Sequence, residues 1–252
     1  MTICDTQVYI FVVYLCRGDS MKDVKVLCTI CCRSGSVGVK DKNIREVNGL
    51  PLMAYTIRSA KEWGGYTDFI ISTDSQKYCD VAKEYGCESY FLRPAVLADS
   101  KSGKVAVIRH ALCEMEKIKG YEYDYVVDLD VTSPLRTAQD IRLAFEQCVE
   151  KDLDIVYSVC EARKNPYFNM VELDENGYPH LCKKLSGDVL SRQAAPKVYE
   201  LNASIYVYKR EFLLEANTVF SDKAGIHVME ADSIDIDSEE DLAYMSYVLS
   251  KR

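Results

Sequence analysis

The chain of 252 residues has no excess of positive charge: 31 lysines and arginines stand against 39 aspartates and glutamates, a net charge of −8. This balance argues against broad binding to nucleic acids or to anionic membranes. An anionic substrate would therefore need a local basic pocket. At this length, with 48% hydrophobic and 28% charged residues, the sequence predicts a globular protein with one sizeable core, with or without a small appendage.

A long hydrophobic run is also missing near the start of the chain. The apolar stretch VYIFVVYLC, residues 8–16, has nine residues and is too short to span a bilayer. No Lys or Arg precedes it and no small-residue cleavage site follows, so a signal peptide is not indicated. Because Met21 stands just before the first strand-like segment, we expect residues 1–20 to be an extension outside a single domain of residues 21–252.

A complete set of metal-binding cysteines is missing as well. The chain has eleven cysteines, an odd number, and several lie inside strand-like runs. Cys28 and Cys31 have the spacing of a metal-binding pair, but no second pair follows, and strand alternation would direct their side chains apart. The pattern favours reduced, buried thiols and therefore a cytoplasmic protein.

Strand-like and helix-like segments do alternate over the first two-thirds of the chain. The strand-like segments are residues 24–32, 68–73, 88–92, 123–131 and 154–161, and the helix-like segments are residues 50–64, 76–86, 104–120 and 137–152. This rhythm predicts an α/β fold with a Rossmann-like, doubly wound and mostly parallel sheet. Ligands of such sheets bind at the carboxyl ends of the strands, where Arg33, Asp74, Asp130 and Thr132 fall.

The alternation ends after residue 161. Residues 168–185 have the pattern of a β-hairpin with Asn176 and Gly177 at its turn. A strand at 199–210, a short helix, a short strand and a final helix from about Ser238 are predicted beyond it. This part of the chain therefore departs from the regular βα pattern of the doubly wound sheet.

The segment from residue 24 to residue 43 carries the strongest signal for a ligand. A β-branched apolar run, VKVLCTICC, leads directly into RSGSVGVKDKN. Small residues let the backbone approach a ligand closely and basic residues surround the turn, which together indicate a phosphate-binding loop. The loop matches neither G-x-x-x-x-G-K-[ST] nor G-x-G-x-x-G. A solvated turn between a strand and a helix is the alternative.

Two carboxylates separated by one apolar residue form a candidate cation site near the end of the chain. In Asp235-Ile236-Asp237, an extended backbone places both carboxylates on one face, and such oxygen ligands suit Mg²⁺. Two exposed aspartates ahead of a helix cap at Ser238 are the alternative. A second pair, Asp128-Leu129-Asp130, would fit a glycosyltransferase, but Asp128 lies within a strand-like run.

Several segments, in order along the chain, resemble the CMP-sialic acid synthetases, also called acylneuraminate cytidylyltransferases. They are R-x-G-S-x-G-x-x-x-K-N from Arg33, NGLPLMAYTI (48–57), STD (72–74), RPAVLA (93–98), TSPLR (132–136), SRQAAP (191–196), NASIYVY (202–208) and SIDIDSEEDL (233–242). The segments LDVTSPLR, RKNPYFN and RQAAPKVYELNASIYVYKR are most similar to the branch that activates legionaminic acid, a bacterial nine-carbon analogue of sialic acid.

This resemblance implies a nucleotidyltransferase reaction. The anomeric hydroxyl of a 2-keto sugar acid attacks the α-phosphate of CTP, a CMP-sugar forms and pyrophosphate leaves. It also implies a Mg²⁺ cofactor, or Mn²⁺, on Asp235 and Asp237, one of which would help to deprotonate the hydroxyl. A small β-rich arm at about residues 160–200 is expected to exchange contacts between two subunits of a homodimer. No nucleic-acid or membrane partner is expected.

The resemblance further assigns residues to each substrate. Arg33 and Lys42 are expected to act in catalysis with the two aspartates of the cation site. The residues expected to bind the nucleotide are Arg33, Ser34, Gly35, Ser36, Gly38, Lys40, Lys42, Asn43 and Arg93. The residues expected to bind the sugar are Asp130, Thr132, Ser133, Arg192, Gln193, Asn202 and Tyr206. The alternatives are a surface position for Arg93 and a core position for Tyr206.

Two departures from the family pattern bear on function. Asp130 stands where the N-acetylneuraminate enzymes have glutamine, and because a carboxylate only accepts hydrogen bonds, it would favour a sugar presenting N–H donors. A carboxylate fixed to an arginine is the alternative. Val37 replaces a lysine expected to contact the triphosphate, and Lys40, Lys101 or Lys104 could supply the missing charge. A CMP-N-acetylneuraminate synthetase, or a weakened nucleotide- or sugar-binding homologue, therefore stays open.

Overall fold

The computed structural model describes residues 24–35, 38–99, 102–187, 189–230 and 234–251. The proposed extension of residues 1–20 and the positions of Ser36, Val37 and Lys101 lie outside these described residues. The elements are β1 (Val26–Cys31), β2 (Glu46–Val47), β3 (Leu50–Pro51), α1 (Leu52–Trp63), β4 (Asp68–Ser72), α2 (Gln76–Glu84), α3 (Lys104–Lys119), β5 (Tyr125–Leu129), α4 (Ala138–Glu150), β6 (Ile155–Glu161), β7 (Val171–Leu173), β8 (Pro179–Leu181), β9 (Tyr199–Lys209), α5 (Arg210–Glu215), β10 (Ala224–Val228) and α6 (Glu239–Leu249).

Six strands form the central sheet, in the order β10-β6-β9-β5-β1-β4. Strand β9 runs antiparallel to its neighbours β5 and β6, whereas the other pairings in this sheet are parallel. Helices α1, α2, α4 and α6 pack on one face of the sheet, and α3 and α5 pack on the other. The predicted α/β fold with a doubly wound, mostly parallel sheet is therefore confirmed.

The apolar sequence of the central strands follows from this double cover. Every residue of β5 is buried, as are the first five residues of β1, because a parallel sheet covered on both faces has no solvent side.

Local sequence signals determine where several helices begin and end. Thr137 and Ser238 each form a capping box at the start of a helix, while Gly64 and Gly120 end α1 and α3 in the left-handed region.

Two sequence predictions for secondary structure need correction. The strand predicted at 88–92 is wrong: Glu88 makes one isolated bridge with Ile70, after which the chain leaves the sheet edge and exposes Tyr90 and Leu92. The helix predicted from residue 50 begins at Leu52, because the two residues before it pair as β3 with β2. The turn between β2 and β3 is Asn-Gly with positive φ at both positions, the usual sequence of a tight hairpin.

The predicted hairpin in the arm is confirmed by the antiparallel pair β7 and β8, with Gly177 at its turn. The arm exposes several large apolar side chains, among them Val171, Leu173, Tyr178 and Leu190.

Nine cysteines lie in the described ranges, and all are free thiols. Within the same ranges, no helix combines the length and apolar character needed to cross a membrane.

Candidate active site

The site lies at the carboxyl ends of β1, β4 and β5, as the strand pattern predicts. The loop that follows β1 is tied to the end of β4 by Asp74. The carboxylate of Asp74 accepts hydrogen bonds from the backbone N–H of Ser34 (2.9 Å) and from its hydroxyl (2.8 Å). Burial raises the pKa of Asp74, but these hydrogen bonds outweigh it and leave the pKa below its usual value. Ser34 is therefore committed to holding the loop in place.

Asn43 fixes the other end of this loop. Its side chain is buried, and its amide nitrogen donates to the backbone carbonyl of Arg33 at 3.0 Å. The two ends of the loop are thereby joined beside the sheet. Arg33 directs its side chain to a cavity described below, whereas Lys40 is exposed to solvent.

Lys42 joins the basic loop to the candidate cation site. Its ammonium group donates to the backbone carbonyl of Ile236 and lies 3.1 Å from the carboxylate of Asp237. Gly38 packs directly on the same segment, because a Cβ atom at this position would overlap the backbone carbonyl of Asp237. A side chain larger than hydrogen would therefore push the loop and the aspartates apart.

The candidate cation site has the alternation that its sequence predicts. Ile236 is fully buried in the core, while Asp235 and Asp237 on either side of it are exposed. Partial desolvation and the nearby charges of Asp130 and Asp237 raise the pKa of Asp235, and the nearby Thr132 side chain offsets only part of this rise. Two accessible carboxylates fit a hard divalent cation. In the part of the chain that the structure describes, no third His, Cys, Asp or Glu completes a cluster with them, so further ligands would come from water or substrate.

A cavity of about 210 Å³ opens beside the loop. Its lining residues are Cys31, Arg33, Arg93, Leu97, Asp99, Ser102, Lys104 and Val107. Arg93 is only 5% exposed, so the alternative of a surface arginine is wrong. Its Nε and Nη2 atoms have no hydrogen-bond partner among the described residues. Buried guanidinium donors without partners are costly in a protein alone, which indicates that a ligand satisfies them.

Asp130, just beyond β5, is held from two sides. One carboxylate oxygen accepts from the ammonium group of Lys104 at 2.7 Å, and the other accepts from the backbone N–H and the hydroxyl of Thr132, each at 3.0 Å. Burial raises the pKa of Asp130, but Lys104 and Thr132 outweigh it and lower the value to about 2. The carboxylate is therefore fixed by a lysine rather than by an arginine. Lys104 is committed to this carboxylate, so it is not a free charge in place of the lysine missing at Val37.

The second aspartate pair does not form an open site. Asp128 is 1% exposed, accepts a hydrogen bond from Thr29 at 2.8 Å and lies 3.5 Å from Lys104. Burial raises the pKa of Asp128 above its usual value. A carboxylate enclosed in this way is poorly placed to bind a cation from solvent, which removes the geometric basis for the glycosyltransferase alternative.

Three of the predicted sugar-binding residues lie beneath the site. Ser133 donates to the backbone carbonyl of Asn202 at 2.8 Å, and the Asn202 side chain accepts from Ser158 at 2.6 Å. Tyr206 is buried, with the ammonium group of Lys104 4.6 Å from its ring centre. These side chains hold the floor of the site, and direct contact of any of them with a sugar stays a prediction.

Arg192 and Gln193 lie in the arm and are exposed. The guanidinium group of Arg192 donates to the backbone carbonyl of Arg163 at 3.0 Å. Across the described ranges, no hydrogen bond or ion pair joins either residue to Asp130 or Asp235. Their role as sugar ligands therefore stays a prediction.

Arg136 is a structural residue of the site that sequence reasoning missed. It is buried and donates to the hydroxyls of Ser204 and Thr56, both at 2.8 Å, and to the backbone carbonyl of Asp130. Burial lowers its pKa to about 10. The signal was available, because Arg136 ends the motif TSPLR, but its spacing does not show which elements it joins.

Sequence comparisons with known proteins bear on the family of the chain. A sequence model of the family described as cytidylyltransferase matches residues 27–250. A CMP-N,N'-diacetyllegionaminic acid synthase from Campylobacter jejuni is 42% identical, over 90% of this chain and 95% of that protein. The post-translational flagellin modification protein B from Campylobacter coli is 40% identical, over 90% of this chain and 96% of that protein.

A solved structure shares the fold at much lower sequence identity. It is a CMP:2-keto-3-deoxy-manno-octonic acid synthetase complexed with CTP, with a TM-score of 0.68 and 13% identity over 90% of this chain and 99% of that one. At this identity the similarity concerns the fold alone.

Proposed function

Because the chain belongs to the cytidylyltransferase family and is therefore a nucleotidyltransferase, we propose that it transfers CMP from CTP to a nine-carbon 2-keto sugar acid, with legionaminic acid as the first candidate. The proposal rests mainly on Lys42, which connects the basic loop to the aspartate pair by its contacts with Ile236 and Asp237. The 42% identity to a CMP-N,N'-diacetyllegionaminic acid synthase supports the choice of sugar.

The geometry supports a division of the nucleotide between the loop and the cavity. Loop backbone N–H groups, with Arg33 and Lys42, would bind the phosphates next to Asp235 and Asp237. The unpartnered guanidinium donors of Arg93 would bind acceptor atoms of the cytosine or of the ribose in the adjoining cavity.

The two aspartates would hold the cation, Mg²⁺ or Mn²⁺. When bound, it would neutralise charge that develops on the phosphoryl oxygens. The sugar hydroxyl forms a bond to the α-phosphorus, the bond from that phosphorus to the oxygen of the leaving pyrophosphate breaks, and Asp235 or Asp237 accepts the hydroxyl proton. Lys42 supplies a fixed positive charge beside the same centre.

The expected homodimer belongs to this proposal. The arm exposes large apolar side chains, including Leu173, 69% exposed, and Leu190, 87% exposed, and such surfaces often mark contacts between proteins. A second subunit that covered them could also bring Arg192 to a sugar carboxylate. Light scattering after size-exclusion chromatography is expected to give twice the mass of one chain, and a single-chain mass would contradict the dimer.

The cytoplasm is the proposed location, because the described cysteines are free thiols and reducing compartments maintain thiols. CTP and a sugar acid are the proposed small-molecule partners. The net charge of −8 argues against nucleic acid or an anionic membrane as a further partner.

Replacing Arg93 by leucine is expected to raise the KM for CTP by about 10- to 100-fold, because hydrogen bonds from a charged donor contribute about 1.5 to 3 kcal/mol. The KM for the sugar acid should change little. Arg58→Leu is the matched control, since Arg58 is an exposed arginine on α1. Equal CTP KM values for the two variants would contradict the proposal that the nucleotide binds in this cavity.

Pyrophosphate release with CTP and Mg²⁺ tests the proposed function directly. Legionaminic acid, N-acetylneuraminic acid, Kdn and Kdo form the panel. Fastest release with legionaminic acid supports the proposal in full, whereas fastest release with another sugar keeps the reaction and changes the substrate. A rise in melting temperature with CTP but no release with any sugar would instead favour a nucleotide-binding homologue without this activity.

A further inference from the structure

Lys104 is the point at which the nucleotide cavity and the predicted sugar side of the site meet. It is the first residue of α3, and it lines the cavity that contains Arg93. Its ammonium group lies 2.7 Å from Asp130, 3.5 Å from Asp128 and 4.6 Å from the ring centre of Tyr206. One lysine therefore faces two carboxylates and one aromatic ring.

The hydrogen bonds of Asp130 leave little of its carboxylate for a substrate. Each carboxylate oxygen has two lone pairs. Both lone pairs of Oδ1 are used by Thr132, and one lone pair of Oδ2 is used by Lys104. A single acceptor position on Oδ2 stays open. Lys104 determines which side of Oδ2 is open, because its ammonium group occupies the other acceptor position of the same oxygen.

We propose that Lys104 is a positioning residue that determines how Asp130 recognises an N–H donor of the sugar acid. This inference rests on the proposed function and names the residue that makes Asp130 selective. Lys104 would orient the one open acceptor position toward the sugar, with Thr132 holding the opposite oxygen.

Charge balance supports the same role. Asp128 and Asp130 place two carboxylates beside a site for two anionic substrates, CTP and a sugar acid. The ammonium group of Lys104 compensates them at 3.5 Å and 2.7 Å, while Arg136 contributes positive charge at the backbone of Asp130. Without Lys104, the carboxylates would repel each other and an incoming sugar carboxylate. Because Lys104 contacts Asp130, a predicted sugar-binding residue, we expect its loss to weaken binding of the sugar acid more than binding of CTP.

A double-mutant cycle tests this inference. The variants are Lys104→Met, Asp130→Asn and the two together, with Lys104→Arg as the conservative replacement. Lys117→Met is the matched control, because Lys117 lies on the same helix and is 71% exposed. KM and kcat are measured for CTP and for the preferred sugar acid of the unchanged protein, and melting temperatures confirm that each variant is folded.

We expect Lys104→Met to raise the KM for the sugar acid by about 10-fold or more, a coupling within the range found for residues in contact. The KM for CTP should change less than about 3-fold, and Lys104→Arg should restore part of the loss. Adding Lys104→Met to Asp130→Asn should have little further effect, because the group that Lys104 positions is then already altered.

Two results would overturn the inference. One is additive effects of Lys104→Met and Asp130→Asn on the KM for the sugar acid, and the other is an equal rise in both KM values. If Lys104→Met does not fold, Lys104→Arg in the presence and absence of Asp130→Asn provides the same comparison. No turnover by the unchanged protein with any sugar acid would overturn the proposed function itself, and this inference with it.

Discussion

Asp235→Asn is expected to lower kcat for pyrophosphate release by on the order of 100- to 1000-fold, the loss typical when one group that stabilises transition-state charge is removed. Asparagine has nearly the same shape but lacks the negative charge with which a carboxylate strengthens the binding of a divalent cation. The side chain is exposed and Ile236 anchors the segment in the core, so the fold should be unaffected. Asp237→Asn should give a loss of similar size.

Three measurements separate this effect from a general disturbance. Asp222→Asn is the control, because Asp222 is an exposed aspartate outside the site, and it should retain full activity. Chelation of divalent cations should abolish turnover of the unchanged protein, and added Mg²⁺ should restore it. Melting temperatures of the two site variants should match that of the unchanged protein. Full activity of both Asp235→Asn and Asp237→Asn would exclude this pair as the cation site.

Arg136→Met is expected to lower the free energy of unfolding by about 3 kcal/mol, and with it the melting temperature by about 6 to 12 °C. Methionine fills much of the same space but cannot donate to Ser204, Thr56 and the backbone carbonyl of Asp130. Three elements, α1, β9 and the loop after β5, would lose their shared donor. Buried Asp128 and half-buried Asp130 would also lose a nearby positive charge.

Thermal and urea unfolding measure this change. Arg58→Met is the control, because the Arg58 side chain is exposed on α1, two residues from Thr56, and its replacement should shift stability by less than about 0.5 kcal/mol. Equal stability of Arg136→Met and Arg58→Met would show that the buried hydrogen bonds of Arg136 do not stabilise the fold.

Local sequence patterns predicted most of the secondary structure. The alternation of strands and helices, the hairpin turn at Gly177 and the helix start at Ser238 depend on side chains within a few residues of one another, which spacing reveals directly. The predicted strand at 88–92 failed for the opposite reason. Residues 88–92 could form a strand only by pairing with the edge of the sheet, and the chain leaves that edge after Glu88.

Local sequence patterns also predicted some features of the candidate site. Alternation alone predicted that Asp235 and Asp237 would share one face of their segment, because successive side chains of an extended backbone point in opposite directions. The sequence also placed the basic loop at the end of β1, where parallel sheets bind ligands. These two features depend only on local geometry and on the order of the elements.

The contacts between distant segments were decided by the tertiary structure. Lys42 meets Asp237 across 195 positions of the chain, and Lys104 meets Asp130 across 26. Spacing carries no information about such pairs, because their distance depends on how helices pack across the sheet. The sequence by itself therefore determined the family, the order of elements and the chemical groups, whereas packing decided which charge faces which carboxylate and which donors of Arg93 are left for a ligand.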